Sequence, residues 1–308
     1  MTTVVAGDET LVNTTTSSSQ VTPSMTALSD GGWVVTWYGI NPANHTLDIY
    51  QQRYTSDGVA TGGEVVVNTT TTDSQNRPTT TALADGGWVV TWFGVNSASN
   101  TNDIYQQRYT SAGVATGGEV VVNATNAGNQ YNPSTAALAD GGWVVTWYGP
   151  NPADSTTDVY QQRYTSAGVA AGGEVVVNTT NAGSQYYPST AALADGGWVV
   201  TWYGSNPSNT IDNIYQQRYT AAGVATGGEV LVNTTTENIQ NEPAVTALSD
   251  GGWVVTWYGW NFASSSYDIY QQRYTSAGVA TGGEVVVNAT TAGDQYGPST
   301  TALSDGGW

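Results

Sequence analysis

Three residue types recur along the chain in a spacing that suits the recognition of hydroxylated ligands. A tryptophan, an arginine and a glutamate each return every 55 residues, as Trp37 and Trp92 do. Arginine forms paired hydrogen bonds with polar ligand groups, and an aromatic ring offers a flat apolar face. The candidate ligand-binding residues are Trp37, Trp92, Trp147, Trp202 and Trp257; Arg53, Arg108, Arg163, Arg218 and Arg273; and Glu64, Glu119, Glu174, Glu229 and Glu284. Near-identical copies of such a set suit weak multivalent binding.

One repeat unit positions these residues. Its clearest marker is a tryptophan that follows Asp-Gly-Gly, and it occurs at Trp33, Trp88, Trp143, Trp198, Trp253 and Trp308. Each unit holds four short segments rich in Val, Thr, Tyr and Trp, bounded by Gly, Pro, Asn or Asp, and this pattern predicts four strands, A to D. Asp-Gly-Gly between strands A and B is typical of a tight hairpin, because glycine accepts the positive φ of such turns.

Strand B predicts how the units pack. Apolar or aromatic residues occupy both faces of the segment 198–203, as in sheets that are covered on both sides. Repeated four-stranded antiparallel units with two buried faces predict an all-β protein, a β-propeller. A β-solenoid is the alternative, although tight hairpins suit it poorly. Five complete repeats predict five or six blades.

We expect one repeat domain over residues 1–308. It begins with a partial repeat, 1–32, continues with the repeats 33–87, 88–142, 143–197, 198–252 and 253–307, and ends inside a repeat, which we interpret as a cut. The chain opens with a D-like strand, 9–13, and closes with an A-like strand, 299–303. In a six-bladed ring these two terminal strands would lie together in one incomplete blade. In a five-bladed ring they would belong to no blade. As a third possibility, the terminal strands exchange between copies of the chain.

Every candidate residue also has a structural interpretation. The tryptophans suit the core, and the arginines of strand C with the glutamates of strand D suit an ion pair within each blade. The hairpin aspartates suit turn formation, with calcium ligation as the alternative; they are Asp30, Asp85, Asp140, Asp195, Asp250 and Asp305. Asn-x-Thr recurs at the end of strand D, as at Asn68, and marks a strand end or a glycosylation acceptor.

The loops after strand B vary most between the repeats, and recognition usually resides in variable loops on a fixed scaffold. They span 40–47, 95–102, 150–157, 205–212 and 260–267. Trp260 and Phe262 are aromatic residues that only one copy carries.

Little in the sequence indicates catalysis. His45 is the only histidine and the chain has no cysteine, so neither a catalytic triad nor a zinc site is supported. An enzyme usually breaks the symmetry of its repeats at one site, and no such break is evident. We therefore expect no enzymatic activity and no cofactor, with calcium as a weakly supported exception.

Composition limits the class of partner. With 24 acidic residues against six arginines the net charge is −18, which disfavours nucleic acid and anionic lipid. No apolar stretch approaches the roughly 20 residues of a membrane helix, so no membrane insertion is expected. The first residues lack the basic and apolar regions of a secretory signal.

The repeat resembles one found in very large secreted and surface proteins of bacteria, including proteins that carry RTX calcium repeats. The matching sequence motifs are Pro-x-x-x-x-Leu-x-Asp-Gly-Gly, aromatic-Val-Val-Thr-Trp, Tyr-x-Gln-Arg-aromatic and Gly-Gly-Glu-x-x-Val-Asn-Thr. Repeats of these motifs cover almost the whole chain. The blade layout is also similar to sialidase-type propellers, with a degenerate Asp-box at 55–61. The calcium nonapeptide and the sialidase catalytic residues have no counterpart here.

Taken together, the sequence predicts a binding or adhesion module of an extracellular or cell-surface protein. Its expected partner is a carbohydrate or another extracellular polymer. The alternative is a structural unit, a spacer or filament protomer, that associates with copies of itself through its incomplete terminal blade.

Overall fold

The computed structural model describes residues 9–125, 127–179, 183–205, 210–290 and 292–308. Within these residues the chain forms five four-stranded antiparallel sheets. Each sheet consists of four strands that are consecutive in sequence and lie in the order A-B-C-D. We number the sheets as blades 1 to 5.

Blade 1 contains β1 (Gln20–Ala27), β2 (Trp33–Ile40), β3 (Leu47–Tyr54) and β4 (Ala60–Val66). Blade 2 contains β5 (Gln75–Ala82), β6 (Trp88–Asn96), β7 (Thr101–Tyr109) and β8 (Ala115–Val121). Blade 3 contains β9 (Tyr131–Ala137), β10 (Trp143–Pro150), β11 (Thr157–Tyr164) and β12 (Val175–Val176). Blade 4 contains β13 (Gln185–Ala192), β14 (Trp198–Ser205), β15 (Asp212–Tyr219) and β16 (Ala225–Leu231). Blade 5 contains β17 (Gln240–Ala247), β18 (Trp253–Asn261), β19 (Ser266–Tyr274) and β20 (Ala280–Val286).

The Asp-Gly-Gly turn closes the A–B hairpin as expected. In blade 1, Gly31 has a φ of 83°, and the Gly32 N–H donates to Asp30 Oδ1 over 2.9 Å. The Leu28 N–H donates to the Gly32 carbonyl over 2.8 Å. The positive φ explains why glycine occupies this turn position, because most L residues avoid that backbone conformation.

Consecutive blades bury a mixed apolar interface between them. Val34 and Ile49 of blade 1 pack against Trp88, Val90 and Trp92 of blade 2. The next three interfaces repeat this arrangement. The A strands of consecutive blades contact each other, whereas the D strands make no comparable contact among the described residues. The A strands therefore lie nearest to the axis around which the blades are arranged.

Two tryptophan–glutamine hydrogen bonds fix each blade. Within blade 2, Trp92 Nε1 donates to Gln75 Oε1 over 2.9 Å, and Gln75 is fully buried. Between blades, Trp88 Nε1 donates to Gln51 Oε1 of blade 1 over 2.9 Å. A Cβ at Gly94 would lie 1.7 Å from Gln75 Oε1, so this glycine makes room for the carboxamide.

The asparagines at the end of strand D are part of the same framework. Asn68 Oδ1 accepts from the Ile49 N–H over 2.7 Å, and its Nδ2 donates to buried Asp48 over 2.8 Å. Asn68 itself is buried, and so are Asn123, Asn178 and Asn233. Of the two sequence interpretations, the strand end fits these four, because a buried carboxamide is closed to glycosylation.

The structure thus confirms an all-β propeller layout with five blades, and the solenoid alternative is wrong. Residues 9–13 lie against blade 1, where Val12 contacts its core, and Trp308 lies against blade 5 through a 2.9 Å bond from its Nε1 to Gln271. Among the described residues, no helix has the length and apolar character required to cross a membrane.

Candidate functional site

The five tryptophans predicted as stacking platforms lie inside the core. Trp92, Trp147, Trp202 and Trp257 have no exposed surface, and Trp37 has almost none. Each donates its indole N–H to a glutamine of its own blade, as Trp92 does to Gln75. Their rings stack on tyrosines of strand C, with Trp92 and Tyr105 centroids 5.9 Å apart. No ring face is left for a ligand, so only the core interpretation fits these residues.

The predicted ion pair between arginine and glutamate within a blade does not form. Arg108 instead pairs with the hairpin aspartate Asp85, with 2.5 Å between Nη2 and Oδ2. Strand C ends beside the A–B hairpin, which brings the guanidinium to Asp85 rather than to Glu119. The guanidinium also lies over the next blade's tryptophan, with Arg108 Cζ 5.8 Å from the Trp143 ring centroid. The other four arginines of strand C repeat both contacts, with Trp308 as the tryptophan beside Arg273.

The glutamates tie each blade to the one before it. Glu119 accepts hydrogen bonds from the Thr69 N–H over 2.7 Å and from the Thr70 hydroxyl over 2.6 Å. Glu64 does the same with Thr14 and Thr15. Burial raises the pKa of Glu64, but these hydrogen bonds outweigh it, so the pKa lies below its ordinary value. Glu174 and Glu284 make the corresponding bonds, and Glu229 accepts from the N–H and the hydroxyl of Thr179.

A small cleft remains beside the arginine at three of the blade interfaces. At the interface of blades 2 and 3 it has a volume of about 200 Å³ and is lined by Gln106, Arg108, Gly117, Gly118 and Trp143. The corresponding clefts measure about 160 and 120 Å³. Such volumes hold a few waters, each of which occupies about 30 Å³ in the liquid.

The hairpin aspartates act in the turn. Asp85 Oδ1 accepts from the Gly87 N–H over 2.9 Å, and Oδ2 is taken by Arg108. No group of three potential ligand residues gathers anywhere in the described part of the chain. His45 is an exposed loop residue with a φ of 61°.

A different set of side chains converges where strand A begins and strand B ends. Strand B places an aromatic residue directly after its second tryptophan, for example Phe93, Tyr148, Tyr203 and Tyr258. The start of strand A adds further tyrosines in some repeats only. We name as the aromatic face the residues Phe93, Tyr131, Tyr148, Tyr186, Tyr187, Tyr203, Tyr258, Trp260, Tyr267 and Tyr296. All are half-buried except the exposed Tyr296.

The rings of the aromatic face touch each other across blades. Tyr131 lies edge-on to Phe93 at 5.2 Å and contacts Tyr148 at 5.7 Å. Tyr187 stacks on Tyr148 at 5.5 Å and on Tyr203 at 5.7 Å. The contacts therefore run without a break from blade 2 to blade 4.

A strained backbone position lies at the start of strand A, and in blade 4 it carries Tyr187 of the aromatic face. The residue before the proline of strand A has a positive φ in every blade, and it is Thr22, Arg77, Asn132, Tyr187 or Glu242, with φ between 46° and 52°. The A–B register shifts at the same place, as in a β-bulge. Residues other than glycine hold this conformation at a cost of about 1–3 kcal/mol, and such strain clusters at functional sites.

Two unlike charges flank the rings. Arg77 Nη1 lies 3.5 Å from Asn132 Oδ1 of the next blade, and its charge opposes the rise in the pKa of Tyr148 that burial causes. Glu242 lies on the other side. Burial and the Glu242 carboxylate raise the pKa of Tyr258 to about 12, and the same carboxylate contributes to the raised pKa of Tyr203.

Blade 5 adds a second group of rings to the aromatic face. Tyr258 contacts Tyr267 at 5.6 Å and Tyr296 at 5.1 Å, and Trp260 contacts Tyr267 at 5.2 Å. Of the two aromatic residues found in one copy, Trp260 therefore joins the aromatic face. Phe262 is 69% exposed in the same loop. In the variable loop 205–212, residues 206–209 lie outside the described residues.

Apart from Trp260, the residues of the aromatic face were missed, because the breaks in the repeat that were weighed in the sequence concerned catalytic residue types such as histidine and cysteine. The signal was present in the residues that differ at one repeat position, since Thr22, Arg77, Asn132, Tyr187 and Glu242 occupy equivalent places. Arg77 was the clearest sign, as the one arginine outside the repeat pattern.

The solved structures most useful for comparison share the propeller fold at low sequence identity. A protein of unknown function from Dyadobacter fermentans has a TM-score of 0.60 and 13% identity over 89% of this chain and 85% of its own. The α-L-arabinanase of Penicillium chrysogenum, solved with arabinobiose, has a TM-score of 0.58 and 13% identity over 94% and 86%. The GH93 α-L-arabinofuranosidase of Fusarium graminearum, also solved with arabinobiose, has a TM-score of 0.52 and 14% identity over 87% and 93%.

No family model matches the chain. No curated protein matches it either. The resemblance to repeats of secreted surface proteins therefore stays a prediction, whereas the propeller layout is shown by the blades themselves.

The expectation of no enzymatic activity is wrong. Two of these neighbours with the same fold are enzymes, an arabinanase and an arabinofuranosidase. That expectation rested on an unbroken repeat symmetry, and the aromatic face breaks this symmetry. A sequence identity of 13–14% supports only the shared fold, and no catalytic residue of these enzymes can be assigned in this chain from it.

Proposed function

We propose that the chain recognises carbohydrate polymers through the aromatic face, as a binding or adhesion module of a secreted or cell-surface protein. The proposal rests on the unbroken series of half-buried rings from Phe93 to Tyr203. These rings lie beside the positions of positive φ in strand A, which carry side chains of differing polarity. Half-buried rings offer apolar faces that match the C–H faces of sugars. Binding sites of this kind combine aromatic walls with a few placed polar groups.

The polar groups at this face suit hydroxylated ligands. Arg77 and the Asn132 carboxamide lie at one side, Glu242 lies at the other, and the tyrosines contribute hydroxyls. These groups both donate and accept hydrogen bonds, as sugar hydroxyls do. The net charge of −18 favours a neutral polymer over an anionic one.

The proposal replaces one site per blade with one composite site. The repeated tryptophans, arginines and glutamates are engaged in the core, in ion pairs and in contacts between blades. The aromatic face instead combines side chains from blades 2 to 5, and each blade contributes a different residue at the strained position. A ligand would therefore bind once per chain and not once per blade.

Calorimetric titration with neutral soluble polysaccharides, including arabinan, tests the proposal, with anionic polygalacturonate as the contrasting polymer. We expect saturable binding of a neutral polymer that fits one site per chain. Release of reducing ends is measured in the same samples, so that any turnover is detected together with binding.

Tyr187→Gly is the informative variant, because glycine removes the ring and relieves the positive φ, which offsets part of the stability lost with the ring contacts. Thr22→Gly is its matched control, since it makes the same change at the same repeat position of blade 1, where no ring contact is lost. We expect at least tenfold weaker binding for Tyr187→Gly and unchanged binding for Thr22→Gly. Equal affinity of both variants would refute the aromatic face as the site.

A further inference from the structure

The two ends of the blade series expose surfaces that the interior interfaces cover. Val287, at the end of blade 5, is 52% exposed, whereas its counterpart Val122 in blade 2 is 5% exposed. Met25 in strand A of blade 1 is 68% exposed, whereas its counterpart Thr80 in blade 2 is 8% exposed. Each end therefore presents one half of an interface that the fold forms four times in its interior.

Part of a neighbouring blade is already present at blade 1. Val12 packs beside Val35 and Trp37, as Val67 packs beside Val90 and Trp92 one repeat later. The bonds from Thr14 and Thr15 to Glu64 repeat those from Thr69 and Thr70 to Glu119. Residues 9–13 thus occupy the place of a strand D.

The complementary part is present at blade 5. The Thr300 hydroxyl lies 2.9 Å from the Thr256 hydroxyl, and its carbonyl accepts from Thr246 over 2.9 Å. Trp308 Nε1 donates to Gln271, as Trp253 Nε1 donates to Gln216. Residues 299–308 thus occupy the place of a strand A with the first residue of a strand B.

In the part of the chain that the structure describes, neither end carries strands B and C of such a blade. In the interior, Val34 of strand B and Ile49 of strand C cover the tryptophan face of the next blade. At blade 1 that place is a cleft of about 500 Å³, lined by Leu11, Val12, Val21, Val35 and Trp37 among others. At blade 5 a cleft of about 590 Å³ is lined by Gln271, Val287, Leu303 and Trp308 among others.

We propose that the two clefts are halves of one site, which binds a β-hairpin of the repeat's own B–C type. Strand B of this hairpin pairs with residues 299–303 and strand C with residues 9–13, which completes a sixth blade. Its valine and isoleucine side chains cover Trp37, and its tryptophan and tyrosine side chains cover Val287. The repeat supplies the complementarity, because every interior interface matches these two sets of side chains.

A whole second copy fits this site less well than a hairpin does. A folded blade of another copy brings its own strands A and D. Those places are already held by residues 299–303 and 9–13, as the bonds of Thr300 and Thr14 show. A hairpin that brings only strands B and C meets both end surfaces without displacing either segment.

Single-cysteine variants test the proposal in a chain that is extended after Trp308 by a copy of residues 254–274. The natural sequence contains no cysteine, so each introduced thiol reports one place. Val287→Cys reports the blade 5 cleft and Met25→Cys reports the blade 1 cleft. Val59→Cys, at a turn position that is 62% exposed, is the accessible control.

We expect the extension to slow labelling at positions 287 and 25 at least tenfold, to leave position 59 unchanged and to raise the thermal transition. A control extension carries aspartate in place of the copied Val254 and Ile269, and it should protect neither position. Unchanged labelling at either position in the apolar extension would overturn the shared site. Protection of the unextended chain that grows with its concentration would also overturn it, because a second copy would then be the occupant.

Discussion

The buried pair of Trp92 and Gln75 depends on a glycine, and Gly94→Ala tests that dependence. The added Cβ would stand 1.7 Å from Gln75 Oε1 and 2.4 Å from its Cδ, so the carboxamide has to move. The move breaks the 2.9 Å bond from Trp92 Nε1, and both groups are fully buried. Each buried polar group without a partner costs about 1–3 kcal/mol, so the free energy of unfolding should fall by about 2–6 kcal/mol.

Gly118→Ala in the same blade is the matched control. A Cβ at Gly118 meets no atom within 4 Å, and Gly118 has no positive φ. Because alanine restricts the unfolded chain, this variant should gain about 0.5 kcal/mol. Urea unfolding followed by tryptophan fluorescence gives both values. Equal unfolding midpoints for the two variants would refute the steric argument.

The double variant Gln75→Ala/Gly94→Ala separates the steric clash from other effects of the alanine. Once the carboxamide is gone, the Cβ at position 94 has nothing to displace, so adding Gly94→Ala to Gln75→Ala should cost little. The two single losses should therefore add up to much more than the loss in the double variant. Additive losses would show that Gly94→Ala acts somewhere other than on Gln75.

Three further predictions concern the stability of the blades. Val122→Ala should lower the free energy of unfolding by about 2 kcal/mol, because it removes buried apolar surface and leaves a cavity. Val287→Ala changes a half-exposed residue and should lower the free energy of unfolding by less than half as much. Equal losses for the two variants in urea unfolding would contradict this prediction. Burial raises the pKa of Tyr105 to about 12 and that of Tyr270 also to about 12. The folded state therefore holds both phenols in their neutral form more strongly than the unfolded state does, and this stabilises the fold fully below pH 10. Stability should therefore fall as the pH rises from about 10 to 12, and a melting temperature that is constant over this range would contradict the prediction. Burial raises the pKa of the Asp85 carboxyl, but the hydrogen bond from the Gly87 N–H and the paired Arg108 guanidinium outweigh burial, so the net pKa lies below its ordinary value. The stability of the fold should therefore fall as the pH drops below about 4. Asp85→Asn should make this fall smaller. An unchanged acid transition in this variant would argue against the ion pair.

The hydrophobic pattern of the repeat was enough to predict the blades, because both faces of strand B are apolar and the hairpin glycines mark the turns. The partners of the charged residues were not predictable in the same way. Arg108 and Glu119 belong to neighbouring strands, which suggested a pair. The end of strand C, however, lies next to the A–B hairpin, so Asp85 is within reach of the guanidinium. Glu119 turns to Thr70 of the preceding blade, a contact that requires the packing between blades.

The strained position of strand A shows which part of this repeat the fold does not dictate. If only the bulge mattered, glycine would be the cheapest residue there, and the corresponding place near the end of the chain does hold Gly297 with a φ of 58°. The five blades instead carry threonine, arginine, asparagine, tyrosine and glutamate, each at a strain cost of about 1–3 kcal/mol. Because these side chains differ from blade to blade while the scaffold repeats, the aromatic face is unsymmetrical, and a polymer bound to it would meet a defined order of rings and charges and hence take one direction.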